Sequence, residues 1–193
     1  MRLFFCTTNA NKVPSVAKAL SPFGVQVEQY QLDIPELQAE SASAVAREKA
    51  KWAFAQVGEP VIVVDSAFHI AALNGFPGTN VKWVTKQIGL EGYLRLMSPN
   101  LSDIGRSCYF EDALACAAAA HDEPAVFVRQ VLGRLATVIA GGDRSEAKSA
   151  LWRLFIPAGC GQTLAEMTAE ELERHRSMVR DFYRDFALWF TSR

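Results

Sequence analysis

The sequence of 193 residues has no apolar run approaching the roughly 20 residues that a membrane-spanning helix needs, and its start shows no cleavable signal pattern. The expectation is a cytoplasmic protein without a membrane partner. Histidine and cysteine are scarce, at three and four residues. Cys6, Cys108, Cys116 and Cys160 are scattered, with no CxxC pair, which excludes a zinc cluster and a disulfide framework and leaves buried apolar thiols. A Lys/Arg-dense stripe is also missing, and the formal net charge is only −1. That argues against a nucleic-acid partner, while a small anionic ligand needs no more than a local basic pocket. No repeat, low-complexity tract or linker rich in Pro, Gly or Ser divides the chain, so a single domain over residues 1–193, with room for two lobes, is expected.

Half of the residues are apolar and 21% are charged, as in a folded enzyme-sized domain. In "PVIVVDSAFHIAALNGFPG", Val61 to Val64 are apolar and β-branched without alternation, the mark of a strand covered on both faces. Read this way, Asp65 falls at the strand's carboxyl end, where α/β sheets form ligand crevices. A carboxylate there suits a metal ligand or a base, or simply caps the following turn. "RLFFCTT" reads as a strand, "VPSVAKALSPFG" as a helix stopping near Gly24, and "VQVEQY" as a second strand. "SASAVAREKAKWAFAQVG" reads as a helix capped by Ser41 or Ser43 and closed by Gly58. "FHIAALNG" suggests a short helical turn, and "TNVKWVTKQIGLEGYLRLM" one or two helices. "SCYFEDALACAAAA" and "AVFVRQVLGRLATV" read as two long strands of a hairpin, although the Ala-rich part has helical propensity. Thr168 to Phe190 reads as helical, opened by a "TAEE" capping box, with Phe182, Phe186 and Trp189 on one core-facing side.

Several separated stretches together resemble the inosine triphosphate pyrophosphatase family, which hydrolyses deaminated purine nucleoside triphosphates to monophosphate and pyrophosphate. They are "TTNANK", "LDIPELQ", "VVDSA" followed by "LNGFPG" and "VKW", then "QTLAEM" and "HR", in the family's order and spacing over nearly the whole chain. The resemblance implies an α/β fold with a long, mixed, twisted sheet, flanking helices and two lobes around a central cleft. It also implies Mg²⁺ as cofactor, a nucleotide as substrate and a homodimer, for which the apolar segments around Phe76 and Trp83 offer a surface.

Cleavage between the α and β phosphates needs a cation to neutralise developing charge and a base to act on water. The resemblance assigns Glu36 and Asp65 to the metal and makes Asp65 the general base; Glu40 reads as a solvated surface acid. Thr7, Thr8, Asn9 and Lys12 match the substrate loop and Lys49 and Lys82 further phosphate cations, while Ser66 either hydrogen-bonds a phosphate or caps the turn. His175 and Arg176 match the base-contacting pair. The sequence also departs from the family. Ser149 to Arg153 replace a Phe-Gly-aromatic-Asp-Pro segment, Ala67 replaces a Gly, and Ala44 and Val45 replace a Glu-Asn pair. Trp152 is a candidate for stacking on the base in place of the lost readers, although an isolated Trp is more often a core residue. These departures imply relaxed or redirected base selectivity. The alternatives are a family member that hydrolyses a different nucleotide, or a catalytically weak nucleotide-binding protein.

Overall fold

The structure, a computed structural model, describes residues 1–35, 38–97, 102, 105–120 and 122–193. In chain order its elements are β1 (Arg2–Cys6), α1 (Val13–Leu20), β2 (Gln26–Tyr30), α2 (Ala42–Val57), β3 (Val61–Ile70), β4 (Pro77–Gly78), α3 (Val81–Leu96), β5 (Ser107–Ala117), β6 (Ala125–Leu135), β7 (Phe155–Pro157), α4 (Ala169–Met178) and α5 (Phe182–Thr191). The strands form a seven-stranded mixed sheet in the order β2-β1-β3-β5-β6-β7, with β4 paired to β3. The mixed α/β class expected from the sequence is therefore what the chain adopts. Among the described residues no helix is long and apolar enough to cross a membrane.

Packing divides the chain into two compact units, residues 1–66, 112–129 and 181–193, and residues 67–111 and 130–180. In the first, β1 is parallel to β2 from Arg2↔Gln26 to Cys6↔Tyr30 and to β3 at Phe4↔Val61 and Phe5↔Ile62. Helix α2 follows from its sequence. Ser41 Oγ accepts from the Ala44 N–H at 3.2 Å, Gly58 closes the helix at φ 73°, and Ala42, Val45, Ala46, Ala50 and Ala53 form the buried stripe. Phe182, Phe186 and Phe190 of α5 join Leu3, Phe5 and Ile62 in one core. Burial of each such ring contributes about 1.5–3 kcal/mol. Trp189 packs against that core, as its place on the aromatic face predicts.

The second unit gathers Phe68, Phe110 and Phe155, with ring centroids 4.6 Å and 4.9 Å apart along the series, beneath α3 and the loop ahead of β7. Gly89, at φ 64° and ψ −176°, breaks α3 into two helical pieces. Gly133 is needed where β6 meets β7, since a Cβ there would lie 2.4 Å from the Ile156 carbonyl oxygen.

Two local expectations are corrected. Strand β3 does not stop at Asp65 but continues to Ile70, because its second half pairs antiparallel with β4 at Phe68↔Gly78 and His69↔Pro77. Only Ala71–Leu73 form the expected helical turn. The tail is not one helix. It breaks at residues 179–181, and Asp181 Oδ1 caps α5 by accepting from the N–H groups of Tyr183 and Arg184. The hairpin of long strands forms as expected. Leu135 N donates to Arg106 O while Arg129 faces Asp112, so β5 and β6 run antiparallel, and the Ala-rich stretch is strand as far as Ala117.

Candidate active site

Strand β1 delivers a phosphate-sized loop. Thr7 N donates to Tyr30 O at 3.2 Å, Gln29 Nε2 to Thr7 O at 2.9 Å, and Asn9 N to Thr7 Oγ1 at 3.1 Å. The chain then makes a tight turn over Ala10–Lys12 and enters α1, whose N-terminus has no side-chain cap. Thr7 receives a bond on its hydroxyl oxygen and keeps its own proton to donate. Thr8 and Asn9 are exposed, and Lys12 Nζ has no carboxylate partner among the described residues. The parallel register between β1 and β3, carried forward from Phe5↔Ile62, sets Thr8 level with Asp65.

Asp65 sits at the middle of β3 with both oxygens engaged. Lys49 Nζ donates to Oδ2 at 2.8 Å and the Ser66 N–H to Oδ1 at 2.8 Å. Lys49 lies next to the buried alanine stripe of α2, so its stem is covered while its ammonium reaches the strand. The pair is sheltered but not sealed, with side-chain exposures of 13% for Lys49 and 19% for Asp65. Each carboxylate oxygen accepts one proton and retains a second lone pair, and such hard oxygens suit a magnesium ion. Among the described residues no three His, Cys, Asp or Glu side chains gather into a metal site. Glu36, the other expected ligand, lies outside the described residues.

Two residues not singled out from the sequence complete this cluster. Ser66 Oγ donates to Asp112 Oδ1 at 2.6 Å, and Asp112 Oδ2 accepts from Arg129 Nη2. The Arg129 guanidinium lies 4.6 Å over the ring of Phe182, and its Nε is buried without a hydrogen-bond partner among the described residues. Burial pushes the neighbouring Tyr183 hydroxyl up to about 12, with Arg129 pulling it down and Asp112 and Asp181 adding to the rise. The one proton of the Ser66 hydroxyl, read from the sequence as a partner of phosphate or a cap of the turn, is here donated to Asp112. The signal for Asp112 and Arg129 was an acid and a base facing each other across the hairpin, which becomes visible only when the two strands are set in register.

The remaining candidates belong to the second unit. Lys82 is exposed in the first turn of α3, with no ion-pair partner among the described residues. His175 and Arg176 occupy the last turn of α4, where Arg176 pairs with Glu173 at 3.4 Å. Of the two readings of Trp152, stacking on a base or core, the burial agrees with core: it is 9% exposed and packs with Leu151, Leu154 and Phe155. Arg153 is likewise committed locally, donating to Gly141 O at 3.0 Å and pairing with Asp143 at 3.5 Å.

The Ham1 family profile matches residues 3–180 of this chain. A dITP/XTP pyrophosphatase of Thermococcus kodakarensis is 36% identical over 191 residues, 98% of this chain and 97% of that protein. An inosine triphosphate pyrophosphatase of Tuber melanosporum is 32% identical over 193 residues, 95% of each. Among solved structures, a Ham1 protein of Coxiella burnetii matches with a TM-score of 0.79 at 20% identity over 100% of both chains. A nucleoside-triphosphatase, dITP/XTP pyrophosphatase, of Mycobacterium abscessus matches with a TM-score of 0.75 at 24% identity over 92% of each. At those identities the structural likeness speaks for the fold.

Proposed function

Because the chain belongs to the Ham1 family, we propose that it hydrolyses non-canonical purine nucleoside triphosphates, of the inosine and xanthosine type, to monophosphate and pyrophosphate. The observation that carries this reading is Asp65, a strand carboxylate held between an ammonium and a backbone N–H at the level of the Thr7–Lys12 loop. Relatives named dITP/XTP pyrophosphatase at 31–36% identity support the substrate class.

Asp65 takes a proton from water as the water oxygen bonds to the α-phosphorus, and the bond from that phosphorus to the bridging oxygen breaks to release pyrophosphate. Lys49 keeps Asp65 oriented for this step, being fixed on a rigid helix beside it. Lys12 and Lys82 meet the phosphates as mobile point charges, and the Thr7 hydroxyl and the uncapped N–H groups of α1 offer donors to phosphate oxygens. Mg²⁺, held by Asp65 and Glu36, would neutralise charge developing on the phosphates. His175 and Arg176, which match the family's base-contacting pair, are donors suited to carbonyl oxygens on the base, while Trp152 is packed into the core. Base selectivity therefore rests on few groups. It is expected to be looser than a site with a full set of matched hydrogen bonds, which discriminates by up to about 10⁴–10⁵.

The exposed Phe76 and Trp83, at 43% and 65%, support a homodimer of this enzyme, for which the proposed location is the cytoplasm. A monomer at micromolar concentration in analytical ultracentrifugation would reject that dimer. The function is tested by offering dITP, XTP, ATP, GTP and pyrimidine triphosphates with Mg²⁺ and measuring pyrophosphate. The expected result is pyrophosphate release, fastest with dITP or XTP. Orthophosphate as the product, or no turnover of any triphosphate, would overturn the reading.

A further inference from the structure

We propose that Asp112 is a positioning residue for the Asp65 carboxylate, acting through Ser66 and locked by Arg129; the proposal rests on the assignment of Asp65 as the base. The links are continuous and lie within one unit. Phe182, fully buried at the start of α5, supports the Arg129 guanidinium 4.6 Å above its ring. Arg129 bonds one oxygen of Asp112, and the other oxygen receives the Ser66 hydroxyl proton at 2.6 Å, the short distance of a charge-assisted bond. Ser66 in turn donates its backbone N–H to Asp65 Oδ1 at 2.8 Å. With its side chain tied on one side and its N–H on the other, Ser66 has little freedom to rotate, and Asp65 inherits that restriction.

Stability is a poor explanation for this arrangement. Asp112 and Arg129 are 18% and 19% exposed, so desolvation offsets most of their attraction. What the pair supplies is orientation without net charge: the guanidinium cancels the second carboxylate, so an anionic substrate is not repelled by it. Asp112 also removes Ser66 from the list of phosphate donors, so that cutting the link is expected to affect the chemical step and leave substrate binding alone.

The test measures kcat and KM for dITP with Mg²⁺ in Asp112→Asn, Ser66→Ala and the double variant, with circular dichroism melts on each. Loss of an outer partner of this kind lowers activity by about 10- to 100-fold, so kcat is expected to fall at least about tenfold in each single variant. KM should stay within about twofold, because no contact to substrate is removed. The double variant should lose no more than the worse single one, since both cut the same link. A kcat within about twofold of the native value in a folded Asp112→Asn, or losses that multiply in the double variant, would overturn the proposal. Should Asp112→Asn not fold, Ser66→Ala decides alone, and an unchanged kcat there refutes the link. Asp65→Asn is run in the same series. Near-full turnover in that variant sinks the base assignment itself, whereas an inactive Asp65→Asn beside an unaffected Asp112→Asn sinks only the positioning role.

Discussion

Replacing Asp65 by Asn changes almost no volume, so its consequences are electrostatic and can be worked from the two bonds the carboxylate makes. An amide offers one acceptor oxygen where the carboxylate has two, so either the Lys49 ammonium or the Ser66 N–H loses its partner. Breaking an exposed pair costs about 1 kcal/mol or less and breaking a buried one about 3–5 kcal/mol. At 13% and 19% exposure this pair lies between those limits, which gives a loss of about 2 kcal/mol. In a chain of this size that is a fall in Tm of about 4–8 °C, leaving the protein folded at assay temperature. Turnover is expected to fall by about 10²–10⁴-fold, the usual contribution of a positioned base. That equals about 2.7–5.4 kcal/mol on the barrier, well beyond what the small loss of folded protein explains. The assay is pyrophosphate release from dITP with Mg²⁺, read beside a thermal melt, with Glu40→Gln as the control because Glu40 is an exposed acid with no part in the cluster. If a folded Asp65→Asn keeps more than about a tenth of the native kcat/KM, the reasoning fails, because a base of this kind contributes far more.

Lys12→Gln and Lys82→Gln should each raise KM for dITP by roughly tenfold or more, as expected for a lost charged hydrogen bond, and a KM unchanged in both would remove them from the phosphate site. Phe186→Ala, at a fully buried ring packed against Phe127 and Phe190, should cost about 3–5 kcal/mol, seen as a drop of roughly 10 °C in Tm; a shift of only a degree or two would mean that the core closes around the gap. Burial raises Cys6 to about 11 and Cys108 and Cys116 to about 12, so these thiols stay protonated below those values and the reactive thiolate is scarce. Iodoacetamide at about pH 8 should therefore modify only the half-buried Cys160 in the native protein, and mass spectrometry showing rapid labelling of the other three would contradict that packing.

The sequence was most informative where a pattern is local. The caps at Ser41 and Thr168, the closing Gly58 and the aromatic face of α5 all act within a few residues, and the structure has them as read. It was least informative where a partner is distant. The apolar stretch after Asp65 fits a helical turn as well as a strand, and the choice falls to β4, which pairs with it only after the chain has reversed. Asp112 and Arg129 do not stand out in the sequence because nothing in either strand alone reveals the other. Trp152 was open to two readings for a similar reason: a lone indole suits a base or, more often, a core, and the neighbours that fill its surroundings come from the folded unit. Lys49 was read through the family resemblance as a phosphate cation, while its bond to Asp65 follows only from the geometry of α2 against β3.

The unit that carries Asp65 is sewn from residues 1–66, 112–129 and 181–193, so its opening segment cannot finish packing when it emerges from the ribosome. β1, α1 and α2 must wait for β5 and β6, and then for the aromatic rings of α5, before Leu3, Phe5 and Ile62 are covered. Such long-range closure slows folding and leaves apolar surface exposed to aggregation during synthesis. It also orders the assembly of the base. Phe182 arrives after every other member of the Lys49–Asp65–Ser66–Asp112–Arg129 series, so a stretch translated later than all of them is the one that steadies the guanidinium of Arg129, and a nascent chain is expected to acquire the fold of this unit and its activity together, once that stretch has emerged.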